Sequence, residues 1–197
     1  MRYAYYLPFE PAAAINYVYL IRLHTLAEYT EQHRLYDTIH YTTQEELAKR
    51  LKISGKTLSR LLANEAYKDY FTVNKEAKII TLHNNYRTSS ATKNTQPFIR
   101  VEAAAIDKLL AAYEELNEPK TDLFIRYFLY IRYYCGKTGT NDFIQEQFLS
   151  AVGYATDTGT KNKLRIYNKV LQEQQLINLQ YRRNAAGHKR ILFSLPK

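Results

Sequence analysis

Two short cationic runs near the end of the sequence, Arg182-Arg183 and His188-Lys189-Arg190, flank the turn-forming segment Asn-Ala-Ala-Gly. Guanidinium and ammonium groups so placed recognise anions. Folded as a hairpin, the runs bring Arg182, Arg183, Lys189 and Arg190 to one tip, which can lie along phosphates or enter a minor groove, with His188 beside them. Upstream, Leu164, Tyr167, Val170 and Leu171 follow the i, i+3, i+6, i+7 spacing of a core-facing helical stripe. That phase predicts Lys161, Asn162, Arg165, Asn168 and Lys169 on the outer face. Arginine pairs bidentately with guanine and asparagine with adenine, while lysine holds phosphates. A thinner outward set occurs in the first half, Lys56, Ser59, Arg60 and Asn64, with Ser54 and Thr57 at a helix start. The competing reading of all these residues is a solvated basic face.

Other chemistries lack their required spacing. Ser54-Gly55-Lys56-Thr57 and Gly136-Lys137-Thr138 end like a phosphate-binding loop, but Arg50 and Ile131 stand where its upstream glycine belongs. His24, His33, His40, His83, His188 and Cys135 show no metal-ligand spacing, so no metal and no cofactor is expected. No His-hydrophobic-His pair or H-x-x-R string accompanies the tyrosines as a nicking or recombining enzyme would need. The lone Cys135 reads as a buried, inert thiol. Nineteen tyrosines could stack unpaired bases, but most sit among Leu, Ile and Phe at helical spacing, where core is the expected place. The expectation is a non-enzymatic protein.

The elements that must position the cationic groups follow from periodicity and punctuation. Pro11 to about Tyr29 reads as one long helix with Pro11 in its first turn. An extended stretch, Asp37–Thr42, leads to Thr43, which stands three residues before Glu46 in capping-box spacing. Two helices follow, broken at Ile53-Ser54-Gly55, and then FTVN and IITLHN flank the turn KEAK as a hairpin. Residues 86–97 lack apolar periodicity and read as a linker between a first unit, 1–85, and a second, 98–197. The second repeats the order: a helix over about 102–116, an apolar helix after Asp122 ended by Gly136, a helix over 141–154, one from about Thr160, and a hairpin around NAAG.

The string NKLRIYNKVLQEQQLINLQYRRNAAGHKRILFSL, and QEELAKRLKISGKTLSRLL in the first half, resemble the winged helix-turn-helix family of bacterial DNA-binding proteins. The resemblance covers about residues 121–196 and, through the second string, the first half too, so together most of the chain. It implies a mainly α fold with small β-hairpin wings, two winged helix-turn-helix units in a pseudo-dimeric arrangement. Tandem units on one chain are similar to plasmid replication initiators and conjugative-transfer accessory proteins of mobile elements. From this resemblance come the expectations of plasmid or phage replication, conjugation or transcription regulation, and of partner proteins from such machinery.

Composition is compatible with that reading. Apolar residues at 46% and charged residues at 24% describe a globular chain rather than a disordered one. The net charge of +9 favours a polyanion, and residues 156–197 hold nine Lys or Arg against two Asp or Glu. Pro8, Glu10, Asn16 and Arg22 interrupt the early apolar stretches, so no membrane insertion and a cytoplasmic location are expected. The functional expectation is double-stranded DNA binding, with recognition helices in major grooves and a basic wing on the backbone or minor groove. One chain, as a monomer with an internal pseudo-dimer, would present both helices. The alternative is a protein-interaction module of a replication or secretion assembly, with DNA contact secondary.

Overall fold

The computed structural model describes residues 4–31, 35–83, 98–118, 121–142, 145–183 and 189–196. Period-two burial, with Tyr5 and Leu7 inside, makes a strand of Ala4–Pro8 (β1). The chain does not then continue into a helix at Pro11, as its composition predicts. The carbonyls of Pro11 and Ala13 instead accept from the Arg126 guanidinium at 2.8 and 3.0 Å. Helix α1 (Tyr17–Leu26) starts at Asn16, whose side-chain oxygen accepts the Val18 N–H at 2.9 Å and so satisfies an otherwise unpaired donor.

By internal contacts the chain divides into two units, residues 14–97 and residues 1–13 together with 98–197. This differs from a simple cut within 86–97, a segment that lies outside the described residues. In the 14–97 unit, α1 is followed by β2 (Glu28–Thr30), β3 (Leu35–His40), α2 (Gln44–Arg50), α3 (Gly55–Ala63), a 3-10 turn (Glu65–Tyr67), β4 (Phe71–Asn74) and β5 (Ile79–Leu82). Thr43 caps α2 by accepting the Glu46 N–H at 3.1 Å, while the Glu46 carboxylate accepts from the Thr42 N–H at 2.8 Å. The strands pair antiparallel in the order β2-β3-β5-β4. Ile39, Ile80 and Leu82 from the sheet, Leu47 from α2 and Leu51 at its C-cap, and Leu58 and Leu61 from α3 are buried.

The other unit continues with β6 (Phe98–Glu102), α4 (Ala103–Leu116), α5 (Leu123–Thr138), β7 (Thr140–Asp142), α6 (Gln145–Ala151), α7 (Thr158–Glu173), β8 (Asn178–Arg183) and β9 (Lys189–Ser194). β1 pairs antiparallel with β6, Tyr5 opposite Val101 and Leu7 opposite Ile99, so four apolar side chains share one face. β9 is central in a second sheet, β7-β9-β8. Its core is aromatic: the Tyr127 ring lies 4.9 Å from Phe148 and 6.3 Å from Phe193, and Phe124 lies 5.2 Å from Tyr167. Gly136 does not end α5. The helix runs to Thr138, and Gly139 at φ 77° takes the left-handed conformation its terminus requires.

The expectation of a mainly α chain with two small-winged units is therefore corrected. Among the described residues seven α-helices account, with the 3-10 turn, for 49% helix, and three antiparallel sheets account for 25% strand, a mixed α and β fold. Each expected hairpin belongs to a larger sheet, and 141–154 is not one helix but β7 followed by α6. The missed strands are short, or pair across long sequence distances that local periodicity does not register. Among the described residues no helix is long and apolar enough to cross a membrane.

Candidate nucleic-acid interface

Helix α6, a turn containing Gly153 at φ 74°, and helix α7 form the frame of the candidate surface. Asp157 caps α7, one carboxylate oxygen accepting the Thr160 N–H and the other the Thr160 hydroxyl, both at 2.9 Å. These bonds, the backbone one first, hold the Asp157 carboxyl below its usual range. Its stabilisation of the helix start is therefore present above the ordinary value near ~3.9 and fades as pH falls through the lower folded value. In a carbon-13 carboxyl titration Asp157 should inflect below the ordinary aspartate value. An ordinary inflection would mean that the cap does not form.

Leu164, Tyr167 and Leu171 face the core as their spacing predicts, and Val170 is half-buried. Asn162, Lys163, Arg165, Ile166 and Lys169 are exposed. Asn168 is a correction: it is 4% exposed, and its side-chain oxygen accepts from the Tyr127 hydroxyl at 2.8 Å. It stands one turn after Leu164 and three residues before Leu171, on the buried stripe, so it ties α7 to α5 and cannot reach a base. Lys161 is half-buried and pairs with Glu146 of α6 at 2.6 Å, a contact that heads the causes lowering the Glu146 carboxyl. It clamps the two helices together. Arg165 Nη1 donates to Asn162 Oδ1 at 2.9 Å, so the two candidate readers orient each other on the open face.

The β8–β9 register sets Arg182 opposite Arg190 and Arg183 opposite Lys189. Directly opposed residues share a face, so Arg182 and Arg190 set two like charges side by side near the hairpin end. Arg182 donates to Gln180 at 3.4 Å and Arg190 pairs with Asp142 of β7 at 3.0 Å; both arginines and Arg183 are exposed. His188 lies outside the described residues. Sequence reasoning missed Tyr181, which is opposite Ile191 and 71% exposed although it shares a strand face with the half-buried Leu179 two residues before it.

No family model, no curated protein and no solved structure matches the chain. Its surface chemistry must be read from its own geometry.

In the 14–97 unit Lys56, Ser59 and Arg60 are exposed on α3. Ser59, however, bonds back to the Gly55 carbonyl at 3.0 Å, Ser54 caps the helix through the Thr57 N–H at 3.1 Å, and Asn64 caps the following 3-10 turn through the Ala66 N–H at 2.9 Å. That leaves Lys56 and Arg60 as the cations of this helix face. A groove of about 940 Å³ in the other unit is lined by Phe98, Arg100, Arg132, Tyr133, Cys135 and Asn178, among others. Its Arg132 is committed to Glu102 and to the Arg100 carbonyl. Burial pushes the Cys135 thiol up to about 11, so it stays protonated at neutral pH. Among the described residues nine tyrosines are buried, and burial raises the hydroxyl pKa of Tyr127, Tyr130 and Tyr167, so these rings are core rather than platforms for bases.

Proposed function

We propose that the chain is a non-enzymatic duplex-DNA-binding protein in which α7 enters the major groove and the β8–β9 hairpin end lies on the backbone or in the minor groove. The observation that supports this most is the pairing of Arg182 with Arg190 and of Arg183 with Lys189. Like charges directly opposite each other destabilise a sheet, and a polyanion turns that arrangement into attraction. The mutual orientation of Asn162 and Arg165 supplies donors and an acceptor suited to base edges beside it. The resemblance to initiator and transfer proteins extends the proposal to replication, transfer or transcription control of a mobile element.

Fluorescence anisotropy with random duplex, single strand and RNA at two salt concentrations tests the reading. Salt-dependent preference for duplex is expected. A tight protein complex without duplex affinity would replace it with an interaction module.

Within this proposal Arg165→Ala should weaken binding to a selected site by roughly 1–3 kcal/mol, the value of one bidentate base contact, with a much smaller change on random duplex. Equal losses on both would make Arg165 a phosphate contact.

A further inference from the structure

Ile166 is an apolar, β-branched residue, 53% exposed, near the middle of α7. Helical phase puts it with Asn162 and Lys169 in one stripe, i, i+4 and i+7, opposite the buried Leu164, Tyr167 and Leu171. Arg165 and Lys163 are exposed on either side. A single exposed apolar residue is ordinary on a protein surface. This one is set in a face of one amide and three cations, on a helix beside a cationic hairpin; Lys163 and Lys169 each stand 3.8 Å from a carboxylate, of Glu118 and Glu173, so the face attracts an anion chiefly through Arg165 and the hairpin while Ile166 offers only a hydrocarbon surface. Charge complementarity commits the face to a polyanion. The major groove is where a polyanion carries an apolar group among hydrogen-bonding edges: the C5 methyl of thymine.

We propose that Ile166 is a specificity-determining residue that packs against a thymine methyl in the major groove. This rests on the duplex-binding reading above and deepens it by naming a base. One helical turn separates Ile166 from Asn162, about 6 Å along the axis, or roughly two base-pair steps of about 3.4 Å. The thymine therefore lies within two base pairs of the base contacted by Asn162 or Arg165.

The test begins with selection of a preferred duplex by the full chain from a randomised pool. Each thymine of that duplex is then replaced in turn by deoxyuridine, which pairs identically and lacks only the methyl. The unaltered protein should lose affinity roughly three- to tenfold at one position, the scale of one buried methyl group. Ile166→Ala should bind the thymine and deoxyuridine duplexes equally at that position, and Ile166→Val should retain part of the difference. Circular dichroism establishes that both variants fold, as an exposed site predicts. Indifference of the unaltered protein to every deoxyuridine overturns the inference while leaving duplex binding intact. Undiminished discrimination by Ile166→Ala overturns it as well, and so does loss of all duplex affinity by folded Ile166→Ala, which one methyl contact cannot explain. Failure of the pool to yield any bound duplex removes the duplex-binding reading and this inference with it.

Discussion

Replacing Arg182, Arg183, Lys189 and Arg190 together by Ala should flatten the salt dependence of duplex binding and leave the fold intact. Each phosphate neutralised contributes roughly 0.9 to the logarithmic salt slope, so four lost contacts lower it by up to about 3.6 and weaken binding at 0.15 M salt by as much as roughly a thousandfold. The Asp142 carboxylate, 3.0 Å from Arg190, already shares that charge, so the loss falls somewhat short of the full figure. Stability should move in the opposite sense. Removing the opposed pairs Arg182–Arg190 and Arg183–Lys189 relieves like-charge repulsion, and the variant should melt at the same temperature as the parent or higher. Titration at several salt concentrations beside a thermal melt separates the two effects. An unchanged slope in a folded variant would remove the hairpin from the binding surface.

The second large effect is on stability alone. Arg126 and Asp122 form an ion pair at 2.9 Å with both side chains less than a tenth exposed, and the same guanidinium holds the Pro11 and Ala13 carbonyls. Arg126→Leu takes the ion-pair partner from a buried carboxylate and a donor from each of two carbonyls. Breaking a buried pair on one side costs roughly 3–5 kcal/mol, because the remaining charge is left uncompensated. Hydrogen exchange read by mass spectrometry during urea unfolding should show residues 4–13 and 98–196 opening at lower denaturant while residues 14–83 change little. Adding Asp122→Leu should recover part of the loss. A single-variant effect below about 1 kcal/mol would mean that the pair is solvated in solution.

What the sequence discloses here follows how local each signal is. Thr43 and Glu46 announce the start of α2, and the Leu164–Leu171 stripe announces α7 within two residues of its bounds, because a cap and a helical period each fit inside one or two turns. The β8–β9 hairpin is legible for the same reason, through the turn residues between two runs of matched length, but its register is not: closing the chain directly around NAAG would set Arg183 opposite His188 rather than Lys189. For Asn168 polarity and phase point opposite ways, and phase prevails: one turn on from Leu164, it lies inside, where the Tyr127 hydroxyl meets it. Ile166 is the converse case, an apolar residue on the outward phase. The clamp between Lys161 and Glu146, and the hold of Arg126 on Pro11 and Ala13, join residues far apart in sequence, and no local pattern encodes them.

The pairing of β1 with β6 has a further meaning for the path of the polypeptide. Residues 14–97 are a guest spliced into a host, lying wholly within what would otherwise be the connection of a β-hairpin. During synthesis β1 emerges before the guest and waits unpaired until β6 follows, so the guest can fold while its host is still incomplete. Loop-closure entropy tolerates such an insertion, since each doubling of a connection costs only about 0.6 kcal/mol. The molecule therefore does not come apart by cutting once. Removing everything before residue 97 would take the host's own edge strand and two acceptors of its buried arginine, whereas joining residue 13 to residue 98 excises the guest and leaves the host whole.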